Sequence, residues 1–231
     1  LSHCDEEFAR LTALLQKNTA AVYRACKKLS DLRKKAAETF CANVTEELRT
    51  LRIKNANFCA EFDQFTEEDA ARATQNGLDA MRFLFSANAG EPLKPLNKVI
   101  SGGEMSRLML AIKTQSADPG GISTYIFDEI DAGIGGNTAK TVAKKFCDIS
   151  AHKQIIAVSH LAQIAAMADE NFLISKRETP EGKTVTDILH LDGAQREEEL
   201  VRLLGGTSES AAARTLAAEL SAECADYKSK R

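Results

Sequence analysis

The chain has 231 residues, a net charge of −3, 44% hydrophobic residues and six cysteines. That length suffices for one or two domains with a sizeable core, and the net charge gives no bulk attraction for nucleic acid. No apolar run approaches the ~18 residues of a membrane span, and Cys4, Cys26, Cys41, Cys59, Cys147 and Cys224 form neither a CxxC pair nor metal-ligand spacing with a His, which points to free thiols in a reducing cytoplasm.

No signal-peptide pattern is visible and the sequence opens without Met, so it is read as a fragment or processed chain. Residues 1–55 contain no Gly and no Pro. Phe8, Leu11, Leu15, Asn18, Val22, Ala25, Leu29, Leu32 and Ala36 alternate three-four spacings there, the pattern of a coiled-coil seam with one polar residue setting register. The alternative is an amphipathic helix lying on its own domain, since periods of 3.5 and 3.6 are hard to separate over this length. Either way the helix needs a partner face. Beyond Ala36 the spacing passes to Phe40, Val44, Leu48 and Leu51, a helix entering a globular body. We therefore divide the chain into an arm, residues 1–55, and a body, residues 56–231.

In the body, Phe58–Phe62 alternates as a strand, Asn76-Gly77 marks a turn, and Met81–Phe85 is the strand after it. Residues 86–100, with Gly90, Pro92 and Pro95, are expected to be loop. A helix follows over Gly102–Gln115, ended by Asp118-Pro119-Gly120-Gly121. Then come a buried strand Tyr125–Phe127, a helix Thr138–Ile149, a buried strand Gln154–Val158 and a short helix Leu161–Ala168. Asn171–Lys176 and Thr184–Leu191 form a hairpin around Pro180-Glu181-Gly182. Two helices, 195–204 and 209–226, split at Gly205-Gly206, close the chain. The strand–helix alternation of 123–168 predicts an α/β fold with a parallel sheet.

Three motifs carry chemistry. Ser101-Gly102-Gly103 opens a helix, where unpaired N–H groups and the helix dipole favour an anion such as phosphate; the same tripeptide also serves as a plain cap. Tyr125-Ile126-Phe127 delivers Asp128 and Glu129 to the C-terminal edge of a parallel sheet, where such sheets bind ligands. Adjacent strand residues point to opposite sides, so one acid can face magnesium and the other an attacking water. The bland reading, two acids ending a strand in solvent, is weakened by the glycine-rich Ile130–Gly136 that follows. Val158-Ser159-His160 ends the next strand and brings His160 to the same edge. On the long helix, Arg24, Lys27, Lys28, Arg33, Lys34 and Lys35, with only Asp31 among them, attract phosphate backbones or merely solvate a face.

The order Ser-Gly-Gly-Glu, acid pair ending a strand, strand-Ser-His resembles the C-terminal half of an ABC-type ATPase head. Glu104 after the glycines and the adjoining coiled coil are similar to the SMC branch. More narrowly, Phe83–Leu96, Ile100–Arg107, Phe127–Ile134 and Leu203–Gly206 resemble the bacterial RecN family of DNA repair proteins. The resemblance implies the C-terminal lobe of an ABC-type head, a parallel-sheet P-loop NTPase-like core, with a returning coiled-coil arm at its N-terminus. It implies that Ser101, Gly102, Gly103 and Glu104 meet the γ-phosphate of ATP held by the opposite head, and that Asp128 supports Mg2+ from outside its direct ligands. It further implies Glu129 as catalytic base, Asp131 in the loop joining the two nucleotide sites and His160 as the switch histidine.

The implied partners are the N-terminal half of the same protein, a second head in an ATP-dependent homodimer, and DNA, with no membrane; the implied location is cytoplasmic, on the nucleoid. One departure is large: no G-x-x-x-x-G-K-[ST] occurs, so the phosphate loop is absent and the chain is expected not to hydrolyse ATP alone. The competing reading is a non-catalytic coiled-coil docking module with an ATPase-like body.

Overall fold

The computed structural model of the chain describes residues 2–98, 102–116, 121–180, 182–207 and 210–230. The chain divides into two compact units, Leu1–Arg49 with Ile53–Ile100 and Thr50–Arg52 with Ser101–Arg231.

In the first unit, helix α1 spans Ser2–Thr50 without interruption, as the lack of Gly and Pro permits. Every residue from His3 to Asn18 is exposed. Farther on, Cys26, Ser30, Cys41, Val44 and Leu48 are buried, a stripe at three-four spacing turned about 100° from the seam. The helix therefore lies on its own unit through one face and leaves the seam open: Phe8 is 74% and Leu32 60% exposed. Arg33, counted above with the basic run, turns inward instead. Its Nη1 donates to Asn76 O (2.7 Å) and pairs with the buried Asp79 carboxylate (2.9 Å). Arg24, Lys27, Lys28, Lys34 and Lys35 stay exposed; Arg24, Lys28 and Lys35 lie roughly opposite the packed stripe, while Lys34 reaches over the Phe62 ring.

Strands β1 (Asn57–Phe62), β2 (Met81–Ser86) and β3 (Lys94–Pro95) form an antiparallel sheet with β2 in the middle. Phe40 of α1 packs on it beside the stacked rings of Phe58 and Phe83, 5.0 Å apart. The Asn76-Gly77 turn forms as expected, closing a small bridge to Thr74 after a 3-10 helix, Glu67–Arg72, and before β2. One feature differs from the sequence expectation. The segment 86–100 also contributes β3, whose Pro95 pairs with Leu84 at a sheet edge, where its missing N–H is harmless.

In the second unit, α2 (Gly102–Gln115) precedes β4 (Thr124–Phe127), α3 (Gly136–Ser150), β5 (Gln154–Ala157) and α4 (Ala162–Met167). β4 and β5 pair in parallel from Thr124↔Gln154 to Phe127↔Ala157. Tyr125 and Phe127 are buried, with Phe127 4.9 Å from the Phe146 ring of α3. The opposite face departs from the expected burial. Ile126 is 72% exposed, and Ile156 and Val158 are exposed too. A strand that is apolar on both sides requires cover on both, and this unit supplies it on one.

The expected hairpin forms as β6 (Phe172–Glu178) and β7 (Thr184–His190). Helices α5 (Gly193–Leu203) and α6 (Ala211–Ser229) follow. Between them, Gly205 N–H bonds Arg202 O and Gly206 N–H bonds Val201 O, with Gly205 at φ +78°. This is a Schellman stop, which selects glycine for its left-handed backbone. α3 packs against β5 and α4, and these contacts, with the bonds from α2 to the loop after β4, fix where the site residues lie.

Candidate functional site

Asp128 and Glu129 follow β4 and Val158-Ser159-His160 follows β5. The parallel register continues past the strands, since Val158 N–H bonds Phe127 O at 2.9 Å. Both motifs thus emerge at one sheet edge, as the sequence predicts. They are joined through Asp131, which is 4% exposed. Its Oδ2 accepts from Ser159 Oγ (2.6 Å) and from the His160 backbone N–H (2.7 Å), and lies 2.9 Å from His160 Nδ1. Ser159 Oγ in turn accepts from Leu161 N–H at 3.1 Å, at the start of α4. A buried carboxylate requires such donors to stay charged, and the strand–helix turn provides all of them. The His160 ring itself is largely exposed.

The loop after β4 is pinned against the first turns of α2. Ser106 Oγ donates to Asp128 O (2.7 Å) and Arg107 Nη1 to Ala132 O (2.7 Å). Asp128 Oδ1 accepts the Glu129 N–H at 2.9 Å. Between these anchors Glu129 adopts φ +54°, a left-handed conformation that costs on the order of 1–3 kcal/mol in a non-glycine residue and persists only where the surroundings over-determine it. Sequence reasoning missed Ser106 and Arg107. Their signal was position: they follow Gly103 by three and four residues, and so sit one turn on along the same face of α2. Arg107 is buried and its Nε has no hydrogen-bond partner among the described residues. Burial pushes its guanidinium down from the ordinary value, and Glu104 pushes it back up.

The two glycines have different reasons to be small. A methyl group at Gly103 would lie 2.8 Å from Ala132 Cβ and 3.1 Å from Ala132 O, so the close approach of the acidic loop keeps this position small. At Gly102 a methyl would collide with the Glu129 carboxylate. That carboxylate rests over Gly102 in the N-terminal turn of α2, where a negative charge is favoured. Glu104 is half-buried on the same turn. Ser101 lies outside the described residues.

No cluster of three or more His, Cys, Asp or Glu side chains able to hold a metal occurs among the described residues. The exposed Asp128, with one oxygen engaged by its neighbour's N–H, suits an ion that draws most of its ligands from phosphate and water, as Mg2+ does.

No family model matches the chain. Curated relatives do. The chain is 37% identical over 204 residues to the DNA repair protein RecN of Halalkalibacterium halodurans, covering 88% of this chain and 36% of that protein. It is 41% identical over 207 residues to the DNA repair protein RecN of Treponema pallidum, covering 89% and 36%. The chain belongs to the RecN family. This RecN-family chain spans about a third of the length of the curated relatives it matches, in their C-terminal part. It is also similar to a solved Smc head domain with a coiled coil and joint derived from Pyrococcus yayanosii, at 21% identity and a TM-score of 0.49, covering 76% of this chain and 31% of that one. No helix among the described residues is long and apolar enough to cross a membrane.

Proposed function

We propose that this chain is the C-terminal part of an ATP-dependent, SMC-like protein of DNA double-strand break repair, and that it contributes one half of a nucleotide site rather than a whole one. The observation that carries the reading is the single sheet edge at which Asp128, Glu129 and His160 emerge, with Asp131 bridging to the histidine.

ATP bound with Mg2+ supplies the phosphoanhydride bond to be cleaved and the charge neutralisation that accompanies cleavage. Each residue then has a task. The turn of Gly102 and Gly103, with Ser101 and Glu104, binds the terminal phosphate of a nucleotide held by a second head. Asp128 would help hold the magnesium, which would neutralise phosphate charge. Glu129 takes the proton of the attacking water as general base. His160 contacts the terminal phosphate as the switch residue, and Asp131 belongs to the loop linking the two nucleotide sites. The N-terminal half of the same protein brings the phosphate loop and the first coiled-coil arm. It covers the exposed Ile126, Ile156 and Val158 face, and its arm covers the Phe8–Leu32 seam. DNA is the partner of the assembled protein, with the exposed Arg24–Lys35 face offered to its phosphates. The location that follows is cytoplasmic, on the nucleoid. The arm is 1–55 and the head lobe 56–231.

The test is ATP turnover by the isolated chain and by the chain mixed with its N-terminal half. The mixture should turn over and the chain alone should not; robust turnover by the chain alone shows that the nucleotide site has been misplaced. Glu129→Gln in the complete protein should trap nucleotide-bound head dimers. No change in dimerisation favours the docking module.

A further inference from the structure

We propose that Ser106 is a positioning residue for Glu129: its hydroxyl holds the peptide plane that precedes Glu129, and so keeps that backbone in the left-handed conformation that sets the carboxylate at the sheet edge. The task given to Glu129 rests on the proposed hydrolytic reading; the geometry of the hold does not.

The peptide unit joining Asp128 to Glu129 is engaged at both of its polar ends. Its carbonyl oxygen accepts from Ser106 Oγ at 2.7 Å, and its N–H donates to Asp128 Oδ1 at 2.9 Å. A peptide is planar, so two such bonds orient the whole unit and with it the φ of the residue that follows. The far side of Glu129 is held as well. Glu129 O accepts from Ala132 N–H at 3.1 Å, and Ala132 O accepts from Arg107 Nη1 at 2.7 Å. Glu129, at φ +54°, therefore sits between two fixed planes. Rotation to a negative φ relieves the strain of this conformation, but it turns one of those planes out of its bonds. Of the two groups on the first plane, the Asp128 carboxylate travels with its own loop. Ser106, 22 residues earlier on α2, ties the plane to another element.

Two details separate positioning from plain packing. Asp128 is exposed and Ser106 half-buried, so water can satisfy the carbonyl once the hydroxyl is gone, but water does not fix the plane. Losing the bond thus releases strain at Glu129 while it forfeits a contact, and stability changes little. Proton abstraction, by contrast, depends on where the carboxylate stands relative to the attacking water. Ser106 also lies one turn along α2 from Gly102, so the base and the phosphate-facing turn are set by one piece.

The measurement is steady-state ATP hydrolysis by the complete protein. Ser106→Ala should lower kcat by roughly three- to ten-fold, the worth of one neutral hydrogen bond. KM for ATP should stay within about two-fold, because the bond is made to the base and not to the nucleotide. Ser106→Thr keeps a hydroxyl at the position and should restore kcat. A bond that merely joins α2 to the loop predicts the reverse, a lower Tm with kcat per folded molecule unchanged. The backbone is read directly in the 15N-labelled chain. There Glu129 should show the strong intraresidue amide–Hα nuclear Overhauser effect of a positive φ, weakened in Ser106→Ala and recovered in Ser106→Thr. A Ser106→Ala protein whose kcat changes by less than about two-fold, or whose Glu129 effect matches the parent's, overturns the proposal, as does a loss confined to KM. If the parent itself hydrolyses no ATP, the hydrolytic reading fails, and the Glu129 spectra still decide whether Ser106 sets that backbone.

Discussion

Replacing Gly103 by alanine tests whether α2 and the acidic loop form one rigid piece. The added methyl would lie 2.8 Å from Ala132 Cβ, 3.1 Å from Ala132 O and 3.3 Å from Glu129 O, the last two being backbone atoms that cannot swing aside. Relief requires the loop to leave α2 by several tenths of an ångström. Overpacking of this kind costs roughly 1–3 kcal/mol. The same displacement lengthens the bond to Ala132 O from Arg107, whose guanidinium already has one buried nitrogen without a partner among the described residues; a hydrogen bond to a charged group is worth about 1.5–3 kcal/mol. Since the bond is stretched rather than abolished, we expect about 2–4 kcal/mol in all. That corresponds to a Tm lower by roughly 6–12 °C, taking about 3 °C per kcal/mol for a domain of this size. Thermal unfolding by circular dichroism reads the shift, and amide exchange at Ala132, whose N–H bonds Glu129 O, reads it locally as faster exchange. Gly193→Ala is the comparison: a methyl there meets nothing within 4 Å at the start of α5, so stability should be unchanged or up to about 1 kcal/mol higher. A Gly103→Ala protein melting within about 2 °C of the parent would refute the reasoning, because a shift that small leaves no room for overpacking at this contact.

Arg33→Met should destabilise the first unit by roughly 2–4 kcal/mol, because it strands the buried Asp79 carboxylate, whose Oδ1 already lacks a partner among the described residues. Urea titration measures the loss, and pairing it with Asp79→Leu should recover most of it; a double variant as unstable as the single one argues that the charge pair is not the cause. Lys140 hydrogen-bonds Glu223 across α3 and α6, with Lys144 nearby, and holds its carboxyl below the usual range. A depressed carboxyl stabilises the fold above its unfolded value, near 4.5, and the contribution disappears as pH falls through the folded value. Glu223→Gln should therefore be less stable at neutral pH, by at most about 1 kcal/mol for so exposed a pair, and should converge with the parent under acid. A gap in Tm that persists at about pH 3 contradicts that sign.

Much of this molecule could be read from local chemistry. The unbroken α1 follows from 55 residues without Gly or Pro, the stop after α5 from Gly205-Gly206, and the parallel pair from two apolar runs separated by a helical pattern. The meeting of Asp128, Glu129 and His160 at one edge also follows, because parallel strands start and end together. Even the open Ile126, Ile156 and Val158 face has its trace in sequence, as strands too apolar to be half-exposed.

Distance relations did not. Nothing in the order of residues distinguishes Arg33, bound to a carboxylate 46 positions later, from the solvated lysines beside it. Nor does it separate Gly102, which lies under the Glu129 carboxylate, from Gly103, which admits Ala132. The elements, their order and the edge at which the acids and the histidine emerge follow from local chemistry, because propensity, periodicity and turn chemistry act over a few neighbouring residues. That Asp131 grips the backbone of His160 and that Ser106 and Arg107 clamp the acidic loop came from the folded arrangement alone, because hydrogen bonds between groups far apart in sequence depend on ångström-scale approach that no local pattern encodes.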